Sequence, residues 1–341
     1  MKRGEVSAPL YVRIKPTNSC NHRCFYCSYG NPEARRDHVA ELRAQFHPQD
    51  QLDLEIMMNL IRDLGEMKVK AVTFSGGGEP LVYPHIEEAM QSVLDHRIDL
   101  SVITNGTFLC DKKADILRNA KWVRISMDSC RAGNYARIRG IKEEIFHKIA
   151  ENIKSFARKK NKDCELGINF VITPDNADEI YDMAAFAKDL SVNHLKMCAV
   201  ITPDILKTHG PIREGVLEQI RRAETHFQDQ NFRIINKYED DLAVNAVFER
   251  TYCRCPIQQI VPVVAADANV YFCHDKAYVP GGELGSLKEK SFKEIWFSEA
   301  TQKRFREFDA GKECRHHCVY DQRNILINSY LDLDESQINF I

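Results

Sequence analysis

Six short runs rich in β-branched or aromatic residues alternate with amphipathic stretches over the first two hundred residues. Residues 10–17 ("LYVRIKPT"), 69–76 ("VKAVTFSG"), 99–106 ("DLSVITNG"), 121–128 ("KWVRISMD"), 166–173 ("LGINFVIT") and 194–200 ("HLKMCAV") are bounded by Gly, Pro, Asn or Asp and predict strands. Residues 54–67, 85–96, 112–120, 143–160 and 177–190 repeat apolar positions at helical spacing and predict helices between them. A strand–helix alternation of this kind builds a parallel sheet with right-handed crossovers. Six units are too few to close an eight-stranded barrel. The expected fold is an open, partial (β/α)6 TIM barrel, with ligands at the carboxyl ends of its strands.

The chain has 341 residues, more than one hydrophobic core usually serves. Residues 201–250 read as a connector with at least one helix. From 251 the texture changes to cysteines, short strands and a glycine cluster, "PGGELG" (280–285). The expected organisation is a barrel core at 1–215, a helical connector at 216–250 and a small α+β domain at 251–341. A net charge of -2 gives no electrostatic case for nucleic acid or an anionic membrane surface. No apolar run approaches the ~18 residues of a membrane span, and the first residues lack a signal peptide's apolar core, so a cytoplasmic location is expected. Twelve cysteines in such a chain point to metal ligation rather than disulfides.

The cysteines group at two places. "CNHRCFYC" (20–27) follows the first strand, so Cys20, Cys24 and Cys27 share a loop at the sheet's carboxyl edge. Four-iron clusters take one thiolate per iron, and three local thiolates leave one iron open to another ligand. A zinc site that recruits His22 is the other reading. The second strand ends in "SGGGEP" (75–80). Successive glycines allow backbone amides to approach a ligand, and a following carboxylate can receive an ammonium group. The third and fourth strands end in "TNG" (104–106) and "SMD" (126–128), which put polar side chains at the same edge.

The cysteine spacing, with Tyr26 before the third cysteine, resembles the signature of the radical S-adenosylmethionine (SAM) superfamily, over roughly residues 10–200. The resemblance implies a [4Fe–4S] cluster on Cys20, Cys24 and Cys27, whose open iron chelates SAM. It implies that Gly76, Gly77, Gly78 and Glu79 hold the SAM amino group. Thr104, Asn105, Ser126 and Asp128 become candidates for methionine and ribose contacts, although Asn105 and Asp128 are also turn formers.

In the last quarter, Cys255 and Cys273 flank two short strands around a turn at "ADAN", and "CRHHC" follows a helix at 291–308. This resembles the twitch domain of the same superfamily, a short form of the SPASM domain. It implies a second, auxiliary [4Fe–4S] cluster on Cys255, Cys273, Cys314 and Cys318. The pattern departs from the family at Ala268–Asn269, where a glycine is usual, and in the three residues between the last pair. Too few cysteines remain for a full SPASM domain with two auxiliary clusters. Zinc is the alternative here as well. Cys253 is left over: an alternative ligand, a hydrogen-atom donor facing the substrate, or an inert thiol. His274, His316 and His317 read as neighbours of the ligands rather than ligands. Cys110, Cys130 and Cys164 read as incidental thiols, and Cys198 as core or cavity-facing.

The resemblance implies generation of a 5′-deoxyadenosyl radical that abstracts substrate hydrogen. The favoured expectation is oxidation of a secondary alcohol of a carbohydrate or aminocyclitol to a ketone, the auxiliary cluster taking the electron. A flavodoxin or ferredoxin would supply reducing electrons. The alternatives are modification of a ribosomal peptide, or epimerisation with Cys253 as donor. The chain reaches Cys20 with no room for a leader-binding domain, which counts against the peptide. His194, Lys196, Asp275 and Lys276 are positional candidates for the proton acceptor. An iron–sulfur scaffold or electron carrier would leave "SGGGEP" without a purpose.

Overall fold

The computed structural model describes residues 6–30, 43–246, 249–316 and 318–333. The six expected strands form β1 (Tyr11–Ile14), β2 (Ala71–Phe74), β3 (Asp99–Thr104), β4 (Trp122–Ser126), β5 (Glu165–Ile172) and β6 (His194–Ala199), each parallel to the next. Their crossovers are α1 (Leu54–Glu66), α2 (Ile86–Asp95), α3 (Asp111–Leu117), α4 (Ala132–Arg139), α5 (Glu143–Lys159) and α6 (Ile180–Asp189). Alternate strand residues such as Val12, Ile14, Val72, Phe74, Val123 and Ile125 are fully buried in one core with Met57, Leu60, Ile61 and Leu64 of α1. Each such side chain contributes about 1.5–3 kcal/mol. The intervening residues, among them Arg13, Thr73, Ser101, Arg124, Asn169 and Lys196, project from the other face of the sheet because side chains alternate along a strand. That face is the barrel lumen, and it is polar.

Three features differ from expectation. The stretch read as a connector adds a seventh parallel strand, β7 (Arg233–Asn236), beside β6, with helices α7 (Ile205–His209), α8 (Arg213–Phe227) and α9 (Tyr238–Ala246) around it. Of its four residues only Ile234 and Ile235 are apolar, against three apolar residues in each of the equally short β1 and β2, so the run gives a weaker strand signal. The C-terminal strands β8 (Val263–Val264), β9 (Asn269–Tyr271) and β10 (Glu283–Ser286) continue the barrel sheet, giving the order β10-β9-β8-β1-β2-β3-β4-β5-β6-β7. β8 runs parallel to β1 and satisfies the backbone groups that an edge strand would otherwise leave open, with Lys15 N donating to Val264 O at 2.8 Å. The helix expected at 291–308 is two helices, α10 (Phe292–Phe297) and α11 (Glu299–Glu307), because Ser298 turns extended and caps the second through its hydroxyl.

The β8–β9 turn places Ala268 at φ 68°, where glycine was expected. Short α12 (Ala310–Glu313) and α13 (Asp321–Leu331) complete the chain's described elements. Among the described residues, no helix is long and apolar enough to cross a membrane.

Candidate active site

Cys20, Cys24 and Cys27 line one cavity of about 270 Å³ at the carboxyl edge of β1–β4. Gly76, Gly77, Gly78, Glu79, Thr104, Asn105 and Ser126 line it with them. Four strand ends thus converge where the sequence places its motifs.

The cysteine loop is held by backbone. Arg23 N donates to Arg139 O at 2.8 Å and Phe25 N to Ile138 O at 3.2 Å, so the last carbonyls of α4 receive loop amides. Gly140 ends α4 at φ 61°, and a Cβ there would lie 2.8 Å from Arg23 O. The glycine run after β2 packs against the chain that leads into the loop. A Cβ on Gly77 would sit 2.0 Å from Asn18 Oδ1, and one on Gly78 2.0 Å from Ser19 O. Gly78 N donates to Thr17 O and Glu79 N to Ser19 O, both at 2.9 Å.

Glu79 is 4% exposed and does more than await an ammonium group. Its Oε1 accepts from Leu81 N (3.0 Å) and Thr104 Oγ1 (2.6 Å), and its Oε2 accepts from Asn105 N (2.7 Å). It therefore ties the end of β2 to the end of β3. Burial pushes its carboxyl up, against the pull of these three donors. Asn105 Nδ2 donates to Asn21 Oδ1 at 2.8 Å, which joins β3 to the cysteine loop.

Two sequence candidates do not line the cavity. Asp128 is fully buried, 2.5 Å from Arg139 Nη2, and its Oδ1 accepts from Val171 N at 2.9 Å. The Tyr26 hydroxyl donates to the same carboxylate. These two residues brace the loop from behind; a strand-end aspartate looks like a ligand only while its partner is unknown. Sequence reasoning missed that partner, Arg139, which also donates to Cys24 Sγ at 3.4 Å and lines the cavity. It missed Lys15 too, fully buried, whose Nζ donates to Gly76 O (2.5 Å) and Tyr29 Oη (3.1 Å).

Burial pushes the Cys20 thiol to about 12 and also raises Cys24, for which nearby Arg139 acts in the opposite direction. Metal binding at this loop must therefore displace protons. The donor set suits a cluster with one open iron: three thiols share a rim with Ser75, whose buried hydroxyl has no hydrogen-bond partner. His22, proposed for zinc, instead meets Thr107 Oγ1 at 3.0 Å and is held neutral, its pKa lowered to about 3 by burial and then by Arg139. Among the described residues, no three His, Cys, Asp or Glu side chains could hold a single metal ion.

Cys255, Cys273, Cys314 and Cys318 form the second thiol group. Burial raises all four thiols, and Cys255 raises each of the other three further, as closely placed like charges do. Asn324 Nδ2 donates to Cys255 Sγ at 3.5 Å, while its Oδ1 accepts from Ile257 N at 3.1 Å. Cys273 follows β9, and the next residue, His274, lines the first cavity. Cys318 lines a different cavity of about 300 Å³ with Lys196, Cys198, Asp240 and Asp241 at the ends of β6 and β7. The second thiol group therefore sits beside the lumen.

Cys253 does not face either of these cavities. It is exposed, lines a separate one with Asn328 and Asp332, and its carbonyl accepts from Ala310 N at 2.7 Å. Its assignment as a substrate-facing hydrogen donor does not fit this placement. His194 is at the opposite, amino end of β6, 3.8 Å from Glu165, and Lys276 donates to Glu313 O at 2.8 Å. Lys196 and the buried Asp275 retain lumen-side positions. His316 is buried, and His317 lies outside the described residues. Cys130 meets Glu179, and Cys164 donates to Leu117 O at 3.7 Å, both away from the cavities.

Comparison with known proteins agrees with this geometry. The model of the radical SAM superfamily matches residues 14–187, and that of the SPASM iron–sulfur cluster-binding domain matches 253–319. GTP 3′,8-cyclase of Lactiplantibacillus plantarum is 31% identical over 191 residues, covering 54% of this chain and 52% of its own. The enzyme of the same name from Clostridium perfringens strain SM101 is 25% identical over 227 residues, 64% of each chain. The chain thus spans about half to under two thirds of the length of these curated relatives. Among solved structures, Streptococcus suis SuiB bound to precursor peptide SuiA has a TM-score of 0.64 at 16% identity, covering 90% of this chain and 69% of that one. Native anSMEcpe with bound AdoMet and Cp18Cys peptide has a TM-score of 0.62 at 21% identity, covering 92% and 86%. At these identities the two structures show the fold. The chain belongs to the radical SAM superfamily, with SAM and a [4Fe–4S] cluster as cofactors, and its C-terminal SPASM domain binds auxiliary iron–sulfur.

Proposed function

We propose that this enzyme oxidises a secondary alcohol of a carbohydrate or aminocyclitol to a ketone within the barrel lumen. When bound, SAM and its cluster supply the 5′-deoxyadenosyl radical for hydrogen abstraction, and the auxiliary cluster supplies a one-electron acceptor. Cys20, Cys24 and Cys27 would hold the first cluster; Cys255, Cys273, Cys314 and Cys318 would hold the second. Overall, one hydrogen atom, one proton and one electron leave the alcohol. The lumen residues orient the carbinol carbon and receive the hydroxyl proton; Asp241 and Lys196, side by side in the second cavity, are the groups placed for that transfer.

The observation that carries this reading is the Cys273–His274 step, where one strand end contributes a second-group thiol and the wall of the first cavity. Four thiols can be assigned to the auxiliary cluster without Cys253, which supports an electron-transfer role over hydrogen return. Reducing electrons would come from a flavodoxin or ferredoxin. The test is Cys273→Ser in anaerobically reconstituted enzyme. 5′-Deoxyadenosine should still form while ketone formation falls sharply, and the wild-type product should be lighter than substrate by two hydrogens. Unimpaired product formation in a folded variant lacking the second cluster would overturn the electron-acceptor role.

A further inference from the structure

Two cations from different parts of the chain grip the segment that carries the last two thiols of the second group. Lys276, which follows Cys273 closely in the chain, donates its Nζ to Glu313 O at 2.8 Å, directly before Cys314. Arg250 donates from Nη2 to His316 O, between Cys314 and Cys318. The Arg250 side chain is 1% exposed, and its Nη1 meets Asp321 Oδ1 at 3.1 Å. Tyr252 Oη donates to the same oxygen at 2.7 Å. Asn324 Nδ2 lies 3.4 Å from that hydroxyl and 3.5 Å from Cys255 Sγ. A chain of hydrogen bonds therefore runs from the Cys314–Cys318 segment through Arg250, Asp321, Tyr252 and Asn324 to Cys255.

The charges around these thiols oppose one another. Asp275 is buried, and its charge acts against thiolate formation at all four cysteines. Lys276 and Arg250 act on Cys314 in the opposite direction, and Arg250 does the same at Cys318. Holding a backbone carbonyl requires a donor but not a full charge, and a buried charge is expensive to desolvate. What a guanidinium adds here is a positive field at the sulfurs. Net charge, hydrogen bonds to sulfur and solvent exposure set the reduction potential of an iron–sulfur cluster. Reduction adds negative charge, so a nearby cation favours the reduced form and a nearby carboxylate disfavours it.

We propose that Arg250 and Lys276 hold the reduction potential of the second cluster up against Asp275, high enough for it to accept the substrate's electron. They are positioning residues that act through the Cys314–Cys318 segment. The inference rests on the reading that Cys255, Cys273, Cys314 and Cys318 hold that cluster.

The test is a redox titration of the intact, cluster-loaded enzyme followed by electron paramagnetic resonance, with and without SAM and with no substrate. The signal that SAM leaves unchanged belongs to the second cluster, because all four of its irons carry thiolates. Arg250→Gln and Lys276→Gln should each lower its midpoint by about 59 mV, a tenfold change in a one-electron equilibrium. Asp321→Asn should raise it, since Asp321 lines the same cavity as Cys318 and its negative charge is lost. Arg250→Lys keeps the charge and should stay near the wild-type value. The opposite signs separate charge from packing: a loosened site admits water and moves every variant in one direction. If Arg250→Gln fails to load iron, Lys276→Gln and Asp321→Asn carry the comparison. Unmoved midpoints in the loaded variants, or shifts of one sign in all of them, would refute the proposal and leave the ligand reading standing. A wild-type enzyme with about four irons and no SAM-insensitive signal would overturn the ligand reading, and the proposal with it. The midpoints are read without turnover, so a failed oxidation assay leaves this inference untouched.

Discussion

Arg139→Met should destabilise the protein by about 3 kcal/mol, and the size of that loss can be worked from its neighbours. The Arg139 and Asp128 side chains are 6% and 0% exposed and lie 2.5 Å apart. Removing one partner of a buried pair typically costs about 3–5 kcal/mol, because the other charge is left without compensation. Asp128 would keep two neutral donors, Tyr26 Oη and Val171 N, so the lower end applies. Asp128→Asn should cost a similar amount by stranding the guanidinium. The double variant removes both charges, and its loss should fall at least ~2 kcal/mol short of the sum of the singles. Urea unfolding of the cluster-loaded protein, followed by circular dichroism, gives all three values. Losses under ~1 kcal/mol in the singles, or strict additivity in the double, would refute the pairing argument. The backbone bonds from Arg23 and Phe25 to the end of α4 survive in the double variant, so it should retain iron at the cysteine loop.

Anaerobically reconstituted enzyme should hold about eight irons, and simultaneous replacement of Cys20, Cys24 and Cys27 by Ala should leave about four, by iron assay. Gly140→Ala should cost about 1–2 kcal/mol from the φ of 61° alone and displace Arg23, lowering iron at the first site; wild-type stability and loading would contradict the close approach. Cys253→Ala should keep both clusters and most turnover, since this thiol faces neither the SAM cavity nor the lumen; radical formation without product would restore its donor role. Burial raises the Asp241 carboxyl from 3.8 to about 6. The folded state then holds its proton longer than the unfolded state does, so the stabilisation is full below pH 4 and falls away as pH rises to 6. Asp241→Asn should remove roughly 2 kcal/mol of that decline, read from denaturation midpoints across the window.

How legible the molecule was depended on whether a signal was local. The strands and five crossover helices repeat their apolar residues at a fixed period, and burial of one face makes that period readable in Val12 and Ile14 or Met57, Leu60 and Ile61. α4 has no such stripe: "AGNYARIR" places Arg139 among its buried residues, and no period flags a buried arginine. Its partner Asp128 lies eleven residues earlier on another element, so the pair exists only after the chain has folded. The cysteine spacings identified both thiol groups, because ligands on one loop share a neighbourhood in sequence and space. Choosing between Cys253 and Cys255 required the folded surroundings: Cys255 meets Asn324, whereas Cys253 is exposed.

The same long-range contacts explain how two thiol groups so far apart in sequence come to lie beside one lumen. β8 pairs with β1 directly upstream of the cysteine loop, so the C-terminal domain begins on the strand that launches the first three ligands. Tyr278 then reaches back: its hydroxyl donates to Asn18 Oδ1 at 2.6 Å, while Asn18 Nδ2 donates to His47 O at 2.9 Å. Asn18 is also the residue that a Cβ on Gly77 would strike. One buried hydrogen bond therefore links the C-terminal domain, the glycine loop and the approach to Cys20. The proposed electron transfer from a substrate in the lumen to a second cluster would need a fixed separation, which a shared sheet with a buried cross-brace can supply and a flexible linker cannot. Tyr278→Phe should accordingly keep both clusters but cost about 1–3 kcal/mol, the penalty for an unmet buried acceptor at Asn18.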